Sequence, residues 1–386
     1  MAKVKLNDVA IEARETWKQS KTDVPVVGLE HLEPDEIWLR RWDLNPDENT
    51  FTKGFRKGQL LFGRRRAYQK KMSVASCDGI CSGDITVIAA RPEKILPELL
   101  PFYLRTDSFF DFAVRGSGGS LSPRVKWSHI SDYEFDLPPM EEQKKLAELL
   151  WAANDLKEKY KKAITATDEM LKAKFREMFG DVGNGEWGTG RIAHAEMRST
   201  IGELAQLVTK GTTPTTVGFN FQDNGVNFLK AENIAEDGKF IVAEMMHISE
   251  KCNEKLKRSQ LAEGDYLFSI AGVIGRSAVV DASILPCNTN QALSIIRLRK
   301  DERIDCRFFA FVLKSDFVLK QCDAMQKQTA QANISLENVK NIQIPLPPLA
   351  LQREFVAIAE KAEAAKTALK KSIVDIDQVM KGLING

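Results

Sequence analysis

Histidine is nearly absent from this 386-residue chain, with four copies. The six cysteines (Cys77, Cys81, Cys252, Cys287, Cys306 and Cys322) contain no CxxC pair. That leaves too few soft ligands for a zinc centre, and free thiols in a reducing cytoplasm are expected. The same shortage leaves little from which to build general acid–base chemistry, and no nucleophile–histidine–acid set is legible. No GxxxxGK[ST] phosphate loop occurs. A charge excess is lacking too, with 55 Lys and Arg against 53 Asp and Glu, or +2. Any affinity for nucleic acid must therefore come from local basic surface. No apolar run approaches the ~20 residues of a membrane span. The first 18 residues mix charges and have no signal-peptide core. A cytoplasmic, non-membrane, non-catalytic binder is the expectation.

What is present is an ordinary globular composition, 43% apolar and 28% charged, on a chain long enough for two or three domains. The chain also repeats itself, which decides the architecture. Asp136-Leu137-Pro138-Pro139-Met140-Glu141-Glu142-Gln143 returns as Pro345-Leu346-Pro347-Pro348-Leu349-Ala350-Leu351-Gln352, an offset of 209 residues. The same offset carries Leu104 onto Leu313, Asp107 onto Asp316 and Ile130 onto Val339. Upstream, with small gaps, Gly58-Gln59-Leu60-Leu61-Phe62 matches Gly264-Asp265-Tyr266-Leu267-Phe268, and Leu6-Asn7-Asp8-Val9 matches Ile201-Gly202-Glu203-Leu204.

Each copy ends in a charged helical stretch opened by Leu-Pro-Pro, where proline fixes the entry. Apolar residues fall at Leu146, Leu149, Ala153, Leu156, Tyr160, Ala163, Met170 and Phe175 in the first stretch. In the second they include Leu351, Phe355, Ile358, Ala362, Ala365, Leu369, Ile373, Ile376 and Met380. These three-and-four spacings approach a heptad seam and predict that the two helices, each about 60 Å long, pack on each other.

The rest of each copy reads as mixed. Leu60–Phe62, Ile85–Ile88, Tyr266–Ile270, Ser277–Val280 and Leu293–Ile296 have the composition of strands. Leu99–Phe112 and Arg307–Leu319 have helical periodicity. The glycine-dense linker Gly180–Gly188 separates the halves. The expected fold is α+β: two similar mixed α/β domains separated by two long antiparallel helices, with an internal pseudo-twofold repeat. The boundaries are 1–138 and 181–346 for the domains, and 139–180 and 347–386 for the helices.

Gly183-Asn184-Gly185-Glu186-Trp187-Gly188 fits GxGxxG but follows a helix, whereas a dinucleotide fingerprint follows a strand. The Leu-Pro-Pro sites have leucine where an amino-methyltransferase Asp/Asn-Pro-Pro-aromatic motif needs a polar residue. They have Met140 and Leu349 where it needs an aromatic.

Charge locality is more informative. Between Asn49 and Cys77 stand eight Lys and Arg and no acid: Lys53, Arg56, Lys57, Arg64, Arg65, Arg66, Lys70 and Lys71, with Tyr68 among them. Such a run suits a phosphate backbone, and arginine also forks onto guanine. The alternative is a solvated basic loop. A second acid-free stretch, 113–131, holds Arg115, Arg124 and Lys126. Its repeat partner holds Lys327, Gln328, Gln331 and Asn333, amides suited to adenine. Lys210, Thr212, Thr213, Arg276, Asn290 and Gln291 complete the candidate DNA contacts, each equally readable as turn chemistry.

With these residues in place, the pattern resembles the DNA specificity subunits of type I restriction–modification systems. The resemblance is carried by Ile334-Ser335-Leu336-Glu337-Asn338-Val339 running through Leu346-Pro347-Pro348 to Gln352, and by its first-half counterpart from His129 to Gln143. Lys210-Gly211-Thr212-Thr213-Pro214, and Gly264-Asp265-Tyr266-Leu267-Phe268 with Gly275, also carry it. The resemblance covers essentially the whole chain. It implies a non-catalytic subunit with two target-recognition domains, each reading one half of a split, asymmetric double-stranded DNA site. The helices would set the gap and dock two modification subunits that bind S-adenosylmethionine. Restriction subunits using ATP and Mg would join them, and this chain would hold no cofactor. The first half departs from the pattern, with Leu121-Ser122-Pro123-Arg124 in place of the amide-rich loop. A long-helix scaffold without specific DNA binding is the rival reading, and a self-contained enzyme is disfavoured by its missing motifs.

Overall fold

The computed structural model describes residues 2–19, 22–44, 50–119, 121–179, 198–300, 303–329 and 333–385. The linker 180–188, with its GxGxxG, and Gln331 lie outside the described residues. The chain forms two compact units, residues 1–162 with 369–386 and residues 163–368.

In the first unit the expected strand at Leu60 is Leu60–Gly63, and Leu60, Leu61 and Phe62 are all buried. Side chains alternate across a strand. Leu60 and Phe62 enter one apolar core and Leu61 a second. The sheet is thus covered on both faces, which is why its strands read as unbroken apolar runs. Its order is Ala10–Glu12, Ile85–Ala90, Leu60–Gly63 and Met72–Val74, all antiparallel. A second four-stranded sheet orders Glu15–Thr16, Lys53–Phe55, Gly79–Cys81 and Val26–Val27.

The second unit repeats this frame. Ala205–Lys210, Leu293–Leu298, Tyr266–Ser269 and Ser277–Val279 form the antiparallel sheet. Tyr266 and Phe268 enter one core and Leu267 another. A three-stranded sheet of Met246–Ile248, Val226–Leu229 and Cys287–Thr289 lies in the place of the first unit's second sheet. The repeat extends to single hydrogen bonds. Arg64 N–H donates to Asp84 O at 2.9 Å, and Val125 N–H to Arg64 O at 3.0 Å; Ile270 donates to Ala292 at 2.8 Å, and Ile334 to Ile270 at 3.0 Å.

Each helix expected within the domains, over Leu99–Phe112 and Arg307–Leu319, is broken in two. Leu100–Leu104 is followed by Asp107–Arg115, and Cys306–Leu313 by Asp316–Thr329. Hydroxyls divert the backbone at the break. Thr106 Oγ1 donates to Tyr103 O at 2.9 Å and accepts from Phe109 N–H at 3.3 Å, capping the new helix. Ser315 Oγ donates to Val312 O at 2.6 Å. Thr106→Ala should cost about 1 kcal/mol of stability, read as a lowered denaturant midpoint with an unchanged slope.

The long helices are Met140–Phe179 and Leu349–Asn385. They pair in opposite directions within each unit. In the first, Lys157 Nζ is 2.7 Å from Asp377 Oδ1, and Met380, Leu383 and Ile384 pack, as Trp151 does, on the core that holds Leu150. In the second, Lys366 Nζ meets Asp168 Oδ1 at 2.5 Å, and the rings of Phe175 and Phe355 lie 5.4 Å apart. The apolar stripe is wider than one partner helix covers. Leu149 and Met170, expected in the seam, are 56% and 46% exposed, and Leu156 and Ala365 are exposed too. No described helix is long and apolar enough to cross a membrane.

Gln143 and Gln352, at the same place in the repeated motif, join each long helix to its domain. Gln352 accepts from Asp305 N–H at 2.8 Å and donates to Pro347 O and Arg303 O at 2.6 and 2.7 Å. Gln143 accepts from Leu96 N–H at 2.9 Å and donates to Pro138 O at 3.0 Å.

Candidate nucleic-acid interface

In the first unit the candidate residues gather at one end of the sheet. The chain leaves strand Leu60–Gly63 into Arg64-Arg65-Arg66, and the short pair Ser117–Gly118 with Arg124–Val125 lies alongside. Arg65 bridges Arg124 in antiparallel register, and Arg66 N–H donates to Pro123 O at 2.8 Å. The two acid-free stretches of the sequence thereby meet at Arg65–Arg66 and Pro123–Arg124. Arg66 and Lys70 both have left-handed backbones, with φ of 53° and 52°. They flank the turn Ala67–Gln69, whose buried Ala67 leaves Tyr68 exposed. Such backbone is costly for non-glycine residues and recurs at functional sites.

The surface is not free of acid in space. Asp84 accepts from Arg124 Nε at 2.6 Å and Nη2 at 3.2 Å, and Arg65 Nη1 is 3.5 Å away. The hydrogen bond from Arg124, above all, holds the Asp84 carboxyl below the usual carboxylate range. Arg65 Nη2 also donates to Ser122 Oγ at 3.0 Å. Lys70 pairs with Asp107 at 2.7 Å, and Lys71 donates to Leu29 O at 2.7 Å, so both are partly committed to the fold. Arg115 ends its helix exposed, its guanidinium 6.0 Å from the Phe112 ring centre. Lys126 is exposed next to Val125.

Sequence reasoning missed Asp84, Ser122 and Arg14 as parts of this surface. Arg14 follows strand Ala10–Glu12 and lines a hollow of about 450 Å³ with Trp17, Lys18 and Arg56. Lys53 Nζ donates to Ile85 O at 2.8 Å. Burial pushes its ammonium down, and Arg64 and Arg14 push the same way. The end-of-strand positions were the available signal, because loops that leave one sheet at one end share a surface.

The equivalent end of the second unit is assembled differently. Gly211 N–H donates to Asn290 O at 3.1 Å and Thr212 N–H to Thr289 O at 3.2 Å. A β-carbon on Gly211 would lie 1.8 Å from Thr289 O, so only glycine allows this approach. Thr213 Oγ1 donates to Gln291 Oε1 at 2.6 Å. Lys210, Thr212, Thr213, Asn290 and Gln291 are thus together. Arg276 N–H donates to Ser269 Oγ at 2.8 Å, while its Nη1 turns to Ile234 O at 3.3 Å. Asn333 is exposed beside Ile334, which bonds Ile270. Lys327 is exposed near the end of helix Asp316–Thr329, on which Gln328 also lies.

Hydrogen-bond position by position, Arg64, Arg65, Asp84 and Arg124 of the first unit correspond to Ile270, Ala271, Ala292 and Asn333 of the second. At these positions the first half carries three arginines and an acid and the second carries three apolar residues and one amide, with Thr212, Thr213, Asn290 and Gln291 supplying further hydroxyls and amides at the same sheet end. Among the described residues, one His/Asp/Glu group has ligand atoms close enough for a cation: Glu30, His31 and Asp43. His31 Nδ1 there accepts from Gly28 N–H at 2.9 Å. Burial pushes the Cys81 and Cys287 thiols up to about 12, which makes them poor nucleophiles.

A family model described as the type I restriction modification DNA specificity domain matches residues 196–376. The chain is 25% identical to the type I restriction enzyme MjaVIII specificity subunit of Methanocaldococcus jannaschii, across 80% of this chain and 73% of that one. It is 22% identical to the putative type I restriction enzyme MjaX specificity subunit of the same organism, across 96% and 84%. The crystal structure of the type I restriction–modification system S subunit from M. genitalium shares the fold, with a TM-score of 0.54 and 13% identity over 100% of this chain and 95% of that one. The matched domain lies in the second half, the same frame is repeated in the first, and along most of its length the chain is similar to type I restriction enzyme specificity subunits.

Proposed function

We propose that this chain selects the DNA site of a type I restriction–modification complex, each domain reading one half of a bipartite, asymmetric sequence. The observation that carries the reading is the repeated sheet end, arginine-lined in one half and amide-lined in the other. Equal frames would present loops equivalently, and unequal loop chemistry would read unequal half-sites. The long helices would set the gap and dock two modification subunits, with restriction subunits completing the nuclease. Catalysis belongs to those partners, which would use S-adenosylmethionine, ATP and Mg. The DNA specificity domain matched in the second half weighs against the rival reading of a scaffold without specific DNA binding.

Selection of bound sequences from a random duplex library tests this. Two separated, dissimilar half-sites are the expected outcome, and enrichment of no sequence would defeat the reading. The near-neutral net charge means few phosphates are neutralised by the chain alone, so affinity should rise when a modification subunit is added. Changing Arg64, Arg65 and Arg66 together to alanine should weaken binding and flatten its salt dependence, by about one unit of slope for each phosphate no longer neutralised. An unchanged slope would mean the run is merely solvated.

A further inference from the structure

We propose that Arg124 reads a guanine in the first half-site and that Asp84 is the residue that positions it. The proposal rests on the DNA-reading function above. Asp84 takes the side-on fork of the guanidinium, Nε and Nη2, at 2.6 and 3.2 Å. That leaves Nη1 and the outer N–H of Nη2 as a second, end-on fork. Guanine presents O6 and N7 side by side in the major groove, and an arginine fork matches both. The carboxylate is the more sheltered partner, with its side chain 21% exposed against 46% for Arg124. The arginine therefore stands outside the acid.

Both residues hang from one backbone. Arg64 N–H bonds Asp84 O, and Arg64 O takes the N–H of Val125, next to Arg124. Asp84 N–H donates to Ser82 Oγ at 3.2 Å, and Arg65 supplies a second cation at 3.5 Å. A fixed carboxylate behind the guanidinium repels a phosphate but not the neutral edge of a base. Phosphate contacts fall instead to Arg66 and Lys126, which are exposed and have no ion-pair partner among the described residues. Ala292 and Asn333 stand at the corresponding places of the second unit, so this guanine is peculiar to the first half-site.

The test uses the full chain and a random duplex library, with wild type, Arg124→Ala, Arg124→Lys and Asp84→Asn compared. Wild type should enrich a guanine at one position of one half-site. Arg124→Ala should relax that position alone and lower affinity for the selected site roughly 5- to 150-fold. Arg124→Lys keeps the charge and loses the fork, so it should relax the same position while keeping the salt slope. Asp84→Asn should weaken the guanine preference yet bind mismatched duplex more tightly, because a negative charge leaves the surface. A merely structural Asp84 would instead lower both affinities together. A wild-type bipartite site in which Arg124→Ala or Arg124→Lys relaxes no position, or a guanine preference intact in Asp84→Asn, would overturn this proposal alone. Enrichment of no site by wild type would overturn the DNA-reading function with it.

Discussion

Gln352→Leu should destabilise the second unit by about 1–3 kcal/mol for the buried carbonyl that loses its partner and by less for each of two part-buried groups. They are Asp305 N–H, Arg303 C=O and Pro347 C=O, held at 2.8, 2.7 and 2.6 Å by a side chain with no solvent exposure. Leucine nearly preserves the volume, so the loss is one of hydrogen bonding and not of packing. Gln352→Glu should recover little, since a carboxylate accepts from Asp305 but donates to neither carbonyl. Against a total stability of about 5–15 kcal/mol, this is a large share. Hydrogen exchange of second-unit amides in the full chain would report it, with the first unit as reference. Unchanged protection would mean the glutamine only fills space. Gln143→Leu should do the same to the first unit through Leu96 N–H and Pro138 C=O.

Those two glutamines mark what was legible and what was not. The repeat of Leu-Pro-Pro and Gln at an offset of 209 residues was visible in the sequence, and it fixed two copies of one frame. Local physics also located the strands at Leu60, Ile85, Tyr266 and Leu293, because buried apolar runs declare themselves. The purpose of the glutamines was hidden, since their partners lie 47 residues upstream. The break at Thr106 was hidden as well. Helical periodicity continues across it, and a hydroxyl's choice between capping and exposure depends on the turn already formed. The candidate interface shows the same limit more sharply. An acid-free run of sequence promised an acid-free surface, but Asp84 lies 40 residues from Arg124 in the chain and within hydrogen-bonding distance in space. The pairing comes from strand register, which no local window contains. Exposed leucines on the long helices have a related cause: periodicity gives the width of the apolar stripe but not how much of it one partner covers.

The long helices should act as a ruler. Recognition domains related by repetition meet the same groove side most easily when their targets lie about one DNA turn apart, ~34 Å. Helices of about 60 Å are long enough to hold that distance with length left over for partners. Lys157 pairs with Asp377 and Asp168 with Lys366, so a seven-residue insertion after Lys161 is matched by one after Ser372. Matched heptads add about 10 Å and nearly preserve the seam. In DNA that is about three base pairs at 3.4 Å each. The heptads barely rotate one domain about the helix axis, whereas three base pairs turn the groove by roughly 100° at 10–10.5 base pairs per turn. Distance and angle then cannot be satisfied together. The variant should lose the original site and bind a longer-gapped site only poorly, while both half-site preferences persist. Selection from a random duplex library reports the half-sites and the gap in one experiment. An unchanged gap at full affinity would show that the helices do not set the spacing, even if each domain still reads its half.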